Sequence, residues 1–127
     1  MIYDGSMVTL TGDRLSVEQV HAVAVGGEAV EIAEQARGRM RASRAVVERL
    51  AAGDDAVYGV NTGVGLLADV RISPGELEQL QRNIVRSHAV GVGPLLDRSV
   101  VRAMMLIRAN VLAIGCSGIR PVVAERL

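Results

Sequence analysis

Two short segments of this sequence set a rare titratable side chain among closely spaced glycines. They are Val57-Tyr58-Gly59-Val60-Asn61-Thr62-Gly63-Val64-Gly65 and Asn83-Ile84-Val85-Arg86-Ser87-His88-Ala89-Val90-Gly91-Val92-Gly93. The chain has two tyrosines and two histidines, and each segment holds one of them. A phenol can exchange a proton, and an imidazole can give or take a hydrogen bond at either nitrogen. Glycines at 59, 63 and 65 open backbone conformations closed to other residues and let a ligand approach the main chain. Blander roles stand beside these: a tyrosine that anchors a strand end, or a histidine satisfied within a core. A phosphate cradle is disfavoured, because the loop lacks both the Lys-Ser/Thr of a P-loop and the G-x-G-x-x-G spacing. Neither a metal nor a nucleotide is expected, and His21 and Tyr3 fall outside every motif and read as structural.

The elements that must position these residues are mostly helical. Met7 to Leu10 alternates weakly and predicts a short strand before the Thr11-Gly12-Asp13 turn. Ser16-Val17-Glu18-Gln19 has the form of a capping box, so a helix is expected to start there and stop at Gly26-Gly27. A longer helix is predicted from about Ala33 to Ala52, with Ala36, Met40, Val47 and Leu50 apolar and Arg37, Arg41, Arg44 and Glu48 on the wet side. Ala56 to Val60 reads as an extended segment that leads into the glycine loop. Ser73-Pro74-Gly75-Glu76 has the form of another capping box and predicts a further helix with proline at its first position. Its stripe Leu77, Leu80, Ile84, His88 places the histidine on the apolar, core-facing side at the C-terminal end. Asp97 is expected to cap a helix from about Arg98 to Ile114 that is apolar on most sides, and Pro121 to open another with Val122, Val123 and Leu127 as apolar positions. The expected fold class is mainly α, with a small β element near the N-terminus.

Composition narrows the classes of function. At 127 residues the chain is at most one domain. Fourteen acidic and fourteen basic residues argue against a nucleic-acid partner. The apolar run Ala103 to Ile107 falls far short of a membrane span, no secretory leader is evident, and the lone Cys116 fits a reducing cytoplasm. Half of the residues are hydrophobic and the mean hydropathy is +0.30, yet Phe and Trp are absent. So much aliphatic surface exceeds what a small domain can bury alone, and some of it is expected to face other protein.

The motifs also carry a resemblance. Tyr-Gly-Val-Asn-Thr-Gly-x-Gly from Tyr58, the Ser87-His88-Ala89-x-Gly91-Val92-Gly93 segment, and Arg108-Ala109-Asn110 through Ser117-Gly118-Ile119-Arg120 resemble, in order, the N-terminal part of the aromatic amino acid lyases. That group comprises histidine, phenylalanine and tyrosine ammonia-lyases and the related aminomutases. The resemblance implies a helical homotetramer whose full-length form eliminates ammonia from an aromatic amino acid. The electrophile in that family is a methylidene-imidazolone group formed from Ala-Ser-Gly. It also implies that Tyr58 is the base that removes the β-proton, and that His88 and Gly65 contact substrate. A free phenol titrates near ~10, so a tyrosine base calls for backbone N–H groups or positive charge around it. Ser-His at 87 and 88 is the pair found in histidine ammonia-lyases and some tyrosine aminomutases, and it favours a polar aromatic substrate without choosing between them.

Two departures qualify the resemblance. Val64 stands where the family usually has Phe or Tyr, which removes a large packing surface next to the loop. No Ala-Ser-Gly occurs in the 127 residues, and Cys116-Ser117-Gly118 lies in a different motif. Residues 1–127 are therefore expected to be a single, partial N-terminal lyase domain, truncated inside a helix that starts near Pro121 and inactive by itself. A non-catalytic module or degenerate copy, and a tyrosine 2,3-aminomutase, are the alternatives.

Overall fold

A computed structural model describes residues 7–127; Tyr3 lies outside the described residues. Among the described residues two strands and five α-helices follow one another: β1 (Val8–Leu10), α1 (Val17–His21), β2 (Val30–Ile32), α2 (Glu34–Ala52), α3 (Pro74–His88), α4 (Arg98–Ala113) and α5 (Pro121–Glu125). A π-helical turn, Ala22–Gly26, extends α1, and a 3₁₀ turn, Gly65–Leu67, precedes α3. The chain divides into two compact units. One contains the described residues up to Ala45 together with Leu95–Leu127; the other is Val46–Pro94. The fold is mainly α with one small sheet, as the sequence predicts.

The first unit holds the buried core. β1 and β2 pair in parallel, with Val8 opposite Val30, Thr9 opposite Glu31 and Leu10 opposite Ile32. Val8, Leu10 and Ile32 point inward, onto Val23, Ala36, Met40, Leu106, Ala109, Leu112, Ala113 and Ala124. Alternation within β1 accounts for its inward pair. Small residues on α2, α4 and α5 let the helices approach closely, so aliphatic side chains fill the core without Phe or Trp. Ser16 begins α1 as a full capping box: its Oγ accepts from Gln19 N at 3.2 Å and its own N–H donates to Gln19 Oε1 at 2.9 Å.

Arg39 and Asn110 join α4 to the loop after β1. From α2, the Arg39 guanidinium reaches the C-terminal end of α4, where its Nε donates to Ile114 O and its Nη2 to Ala113 O, both at 3.1 Å, and also to Thr11 O. A guanidinium there satisfies carbonyls the helix leaves open and complements its dipole. Asn110 Oδ1 accepts from Gly12 N at 3.1 Å, and its Nδ2 donates to Asp13 O at 2.6 Å. The asparagine of the Arg108-Ala109-Asn110 motif thus has a structural task.

α4 is apolar on two opposite faces. Leu106, Ala109, Leu112 and Ala113 are buried, whereas Val100, Met104, Ile107, Val111 and Ile114 form an exposed stripe spaced four, three, four and three. In α5 the buried residue is Ala124, while Val122 is exposed, so the apolar position there differs from the one the sequence suggests. Among the described residues no helix is long and apolar enough to cross a membrane.

Candidate functional site

Tyr58, Gly65 and His88 all belong to the unit Val46–Pro94. Tyr58 does not end a strand. Val57 to Val60 form a β-turn closed by Val60 N donating to Val57 O at 3.0 Å, with Tyr58 second and Gly59 third. Gly59 has φ +75°, the left-handed value that a type II turn requires at its third residue. The expected extended segment Ala56–Val60 is corrected accordingly. The residue types favour β structure, but local hydrogen bonds capture the backbone first. Tyr58 sits on the outer corner of this turn, 67% exposed, and its hydroxyl has no hydrogen-bond partner among the described residues.

The turn is held by two residues that the motif reading did not single out, Asn61 and Thr62. Both are buried, Asn61 to 1% exposure. Asn61 Oδ1 accepts from Val57 N at 2.7 Å, while Nδ2 donates to Asp55 O at 2.9 Å and to Leu50 O, in the last turn of α2, at 3.3 Å. One acceptor and two donors are all used, and the partners fix which end of the carboxamide is nitrogen. Thr62 Oγ1 accepts from Gly59 N at 3.4 Å and donates to Gly63 O at 2.9 Å. The returning chain closes the loop: Ile72 N donates to Asn61 O at 2.8 Å, Gly63 N to Val70 O at 3.1 Å, and Arg71 Nη2 to Gly53 O at 2.7 Å. A signal was available in the sequence. An Asn-Thr pair inside a glycine loop brings side-chain donors and acceptors where ladder partners are lacking.

Gly63 is required by proximity, since a Cβ there would lie 2.5 Å from Leu67 Cβ and 2.9 Å from Leu67 O. Gly65 opens the 3₁₀ turn at φ +61° with open space around it. Val64, at the position usually aromatic in the family, caps that turn and is exposed.

His88 is the last residue of α3. Leu77, Leu80 and Ile84 are half-buried, but His88 is exposed, so the core-facing placement is corrected. Helical period groups these four residues on one face, yet the stripe's cover does not reach the final turn. His88 Nδ1 lies 2.9 Å from Ile84 O and 3.0 Å from Ser87 Oγ, and Ser87 Oγ donates to the same carbonyl at 3.0 Å. A carbonyl oxygen can only accept, so the proton of the neutral ring is on Nδ1 and the Nε2 lone pair is left for an outside donor. At the start of α3, Ser73 Oγ donates to Glu76 Oε2 at 2.6 Å and makes no bond to the helix backbone. The predicted box is thus present as a side-chain pair only.

Ser117 is committed to a turn, with its Oγ 3.4 Å from Ile119 N, and Cys116 precedes it. With cysteine in place of alanine, this tripeptide differs from the Ala-Ser-Gly that forms the methylidene-imidazolone group. Among the described residues no cluster of His, Cys, Asp and Glu is placed to hold a metal ion.

Known proteins resemble this chain along nearly its whole length. A histidine ammonia-lyase from Geobacillus thermodenitrificans (strain NG80-2) is 51% identical over 121 residues, which cover 95% of this chain and 24% of that protein. Among solved structures, ergothionase from Treponema denticola, an ergothioneine-degrading enzyme, superposes with a TM-score of 0.90 at 33% identity, over 95% of this chain and 24% of that one. A tyrosine aminomutase from Streptomyces globisporus gives 0.87 at 36% identity, over 95% and 23%. The chain therefore spans about a quarter of the length of the proteins it matches. The model of the aromatic amino acid lyases matches residues 15–127. By that match, this chain belongs to the aromatic amino acid lyase family.

Proposed function

We propose that residues 1–127 are a partial N-terminal domain of an ammonia-lyase that acts on histidine or a related polar aromatic amino acid. In this reading Tyr58 is the base that removes the β-proton. As that C–H bond breaks, its electron pair forms the carbon–carbon double bond and the amino group departs as ammonia. Tyr58 suits this role because it stands on the outer corner of a braced turn with its hydroxyl uncommitted among the described residues. His88, with Nε2 open, accepts from the N–H or O–H of the substrate's ring, and Gly65 lets substrate approach the main chain. The observation that carries the reading is the 51% identity to a histidine ammonia-lyase across nearly the whole chain.

The electrophile of such enzymes derives from Ala-Ser-Gly, which is absent from these residues. The 127-residue chain accounts for proton removal and for holding substrate, and alone it is inactive. The full-length enzyme is proposed to be a cytoplasmic homotetramer; the second apolar face of α4 supports burial against further protein.

A tyrosine 2,3-aminomutase is the second reading, supported by the 36% identity to the Streptomyces globisporus enzyme. It shares the elimination and then returns ammonia to the β-carbon. Assay of the full-length protein with histidine, tyrosine and phenylalanine decides between them. Free ammonia with histidine supports the lyase, a β-amino acid from tyrosine supports the mutase, and inertness toward all three leaves a non-catalytic module.

A further inference from the structure

The side chain of Tyr58 has no hydrogen bond of its own among the described residues, so the hydrogen bonds that anchor this residue are those of its backbone turn. That backbone is the turn Val57–Val60, and both peptide groups of Val57 are tied to one residue. Val57 N donates to Asn61 Oδ1 at 2.7 Å, and Val57 O accepts from Asn61 N at 3.2 Å. The other end of the same carboxamide donates to Asp55 O and Leu50 O. Asn61 thereby references the tyrosine's turn to the end of α2, from a fully buried position that cannot touch substrate.

We propose that Asn61 is a positioning residue for Tyr58, setting the proton-removing hydroxyl through the turn it braces. This rests on the reading of Tyr58 as the base. A displacement of about 1 Å at a reacting group is enough to cost about 10²-fold in rate. The loss is expected in kcat, since substrate is held by other residues.

Aspartate is the informative replacement because it has the same shape. Asn61→Asp keeps an oxygen for Val57 N but turns a carboxylate oxygen toward two carbonyls. Burial and those carbonyls raise the pKa of the new carboxyl, and its protonated form restores one of the two donated bonds. In the full-length enzyme, Asn61→Ala and Asn61→Asp are expected to lower kcat about 10²-fold at pH 8 with KM nearly unchanged. The ratio of Asn61→Asp to wild-type kcat is expected to rise as pH falls, which a merely stabilising role would not produce. A folded Asn61→Asp enzyme with wild-type kcat, or with a ratio independent of pH, overturns the proposal. So does failure of both variants to fold, which assigns Asn61 to stability alone. A fully active Tyr58→Phe enzyme instead overturns the underlying reading, whereas an inactive Tyr58→Phe beside a normal Asn61→Asp overturns only the positioning role.

Discussion

His88 Nδ1 lies 2.9 Å from the carbonyl oxygen of Ile84, one helical turn back, and this contact orients the ring and assigns its proton. In the neutral ring, ¹⁵N chemical shifts are expected to report Nδ1 protonated and Nε2 bare. A ring protonated at Nε2 would contradict the contact and with it the acceptor role.

Because Nε2 is an acceptor, His88→Leu in the full-length enzyme is expected to discriminate between substrates. Loss of a hydrogen bond at this point costs about 1–3 kcal/mol. Turnover of histidine relative to phenylalanine, as kcat/KM, should therefore fall by about 10- to 100-fold. An unchanged ratio would remove His88 from the substrate site.

Gly63 approaches Leu67 too closely for any side chain. Gly63→Ala is expected to push the 3₁₀ turn away and to destabilise the unit Val46–Pro94 by about 1–3 kcal/mol, the usual range for overpacking. Urea titration measures this; an unchanged midpoint would mean that the loop yields without cost.

These cases show how much the sequence revealed. Starts of helices were legible, because Ser16, Pro74 and Pro121 act through neighbours within one turn. β2 was not, since three residues carry no usable period and Val30–Ile32 become a strand only through pairing with β1. Tyr58 and His88 stood out by rarity. Asn61 did not, because its importance lies in three backbone partners, at Leu50, Asp55 and Val57, that only the folded loop brings to it. Helical period groups His88 with Leu77, Leu80 and Ile84, but period says which residues share a face and nothing about what covers it.

Glu34 offers a test of the surface electrostatics. Its carboxylate accepts from Arg41 Nη2 at 2.5 Å, and Arg37 lies 3.8 Å away; chiefly the Arg41 hydrogen bond, and then the charge of Arg41, hold its pKa below the ordinary glutamate value. A depressed carboxyl stabilises the fold above the ordinary glutamate range, and that contribution fades as pH falls through the depressed value. NMR titration should place Glu34 below unpaired glutamates, and Arg41→Gln or high salt should move it upward. A midpoint that ignores both changes would show the pair to be without effect.

The exposed stripe Val100, Met104, Ile107, Val111, Ile114 predicts association of the isolated 127-residue chain. Light scattering is expected to show oligomers or poor solubility, with strong binding of a hydrophobic dye. A soluble 13.4 kDa monomer with a sharp cooperative melt would contradict this and favour an autonomous module.

The central claim is that Tyr58 is the base of an ammonia-lyase, and ammonia release by the full-length Tyr58→Phe enzyme tests it most directly. Only an exposed hydroxyl without a partner among the described residues is lost, so fold and melting temperature should not change. The account predicts a fall in kcat of about 10²- to 10⁴-fold, the contribution expected of a positioned proton-transfer group. A folded variant that releases ammonia at the wild-type rate would contradict it.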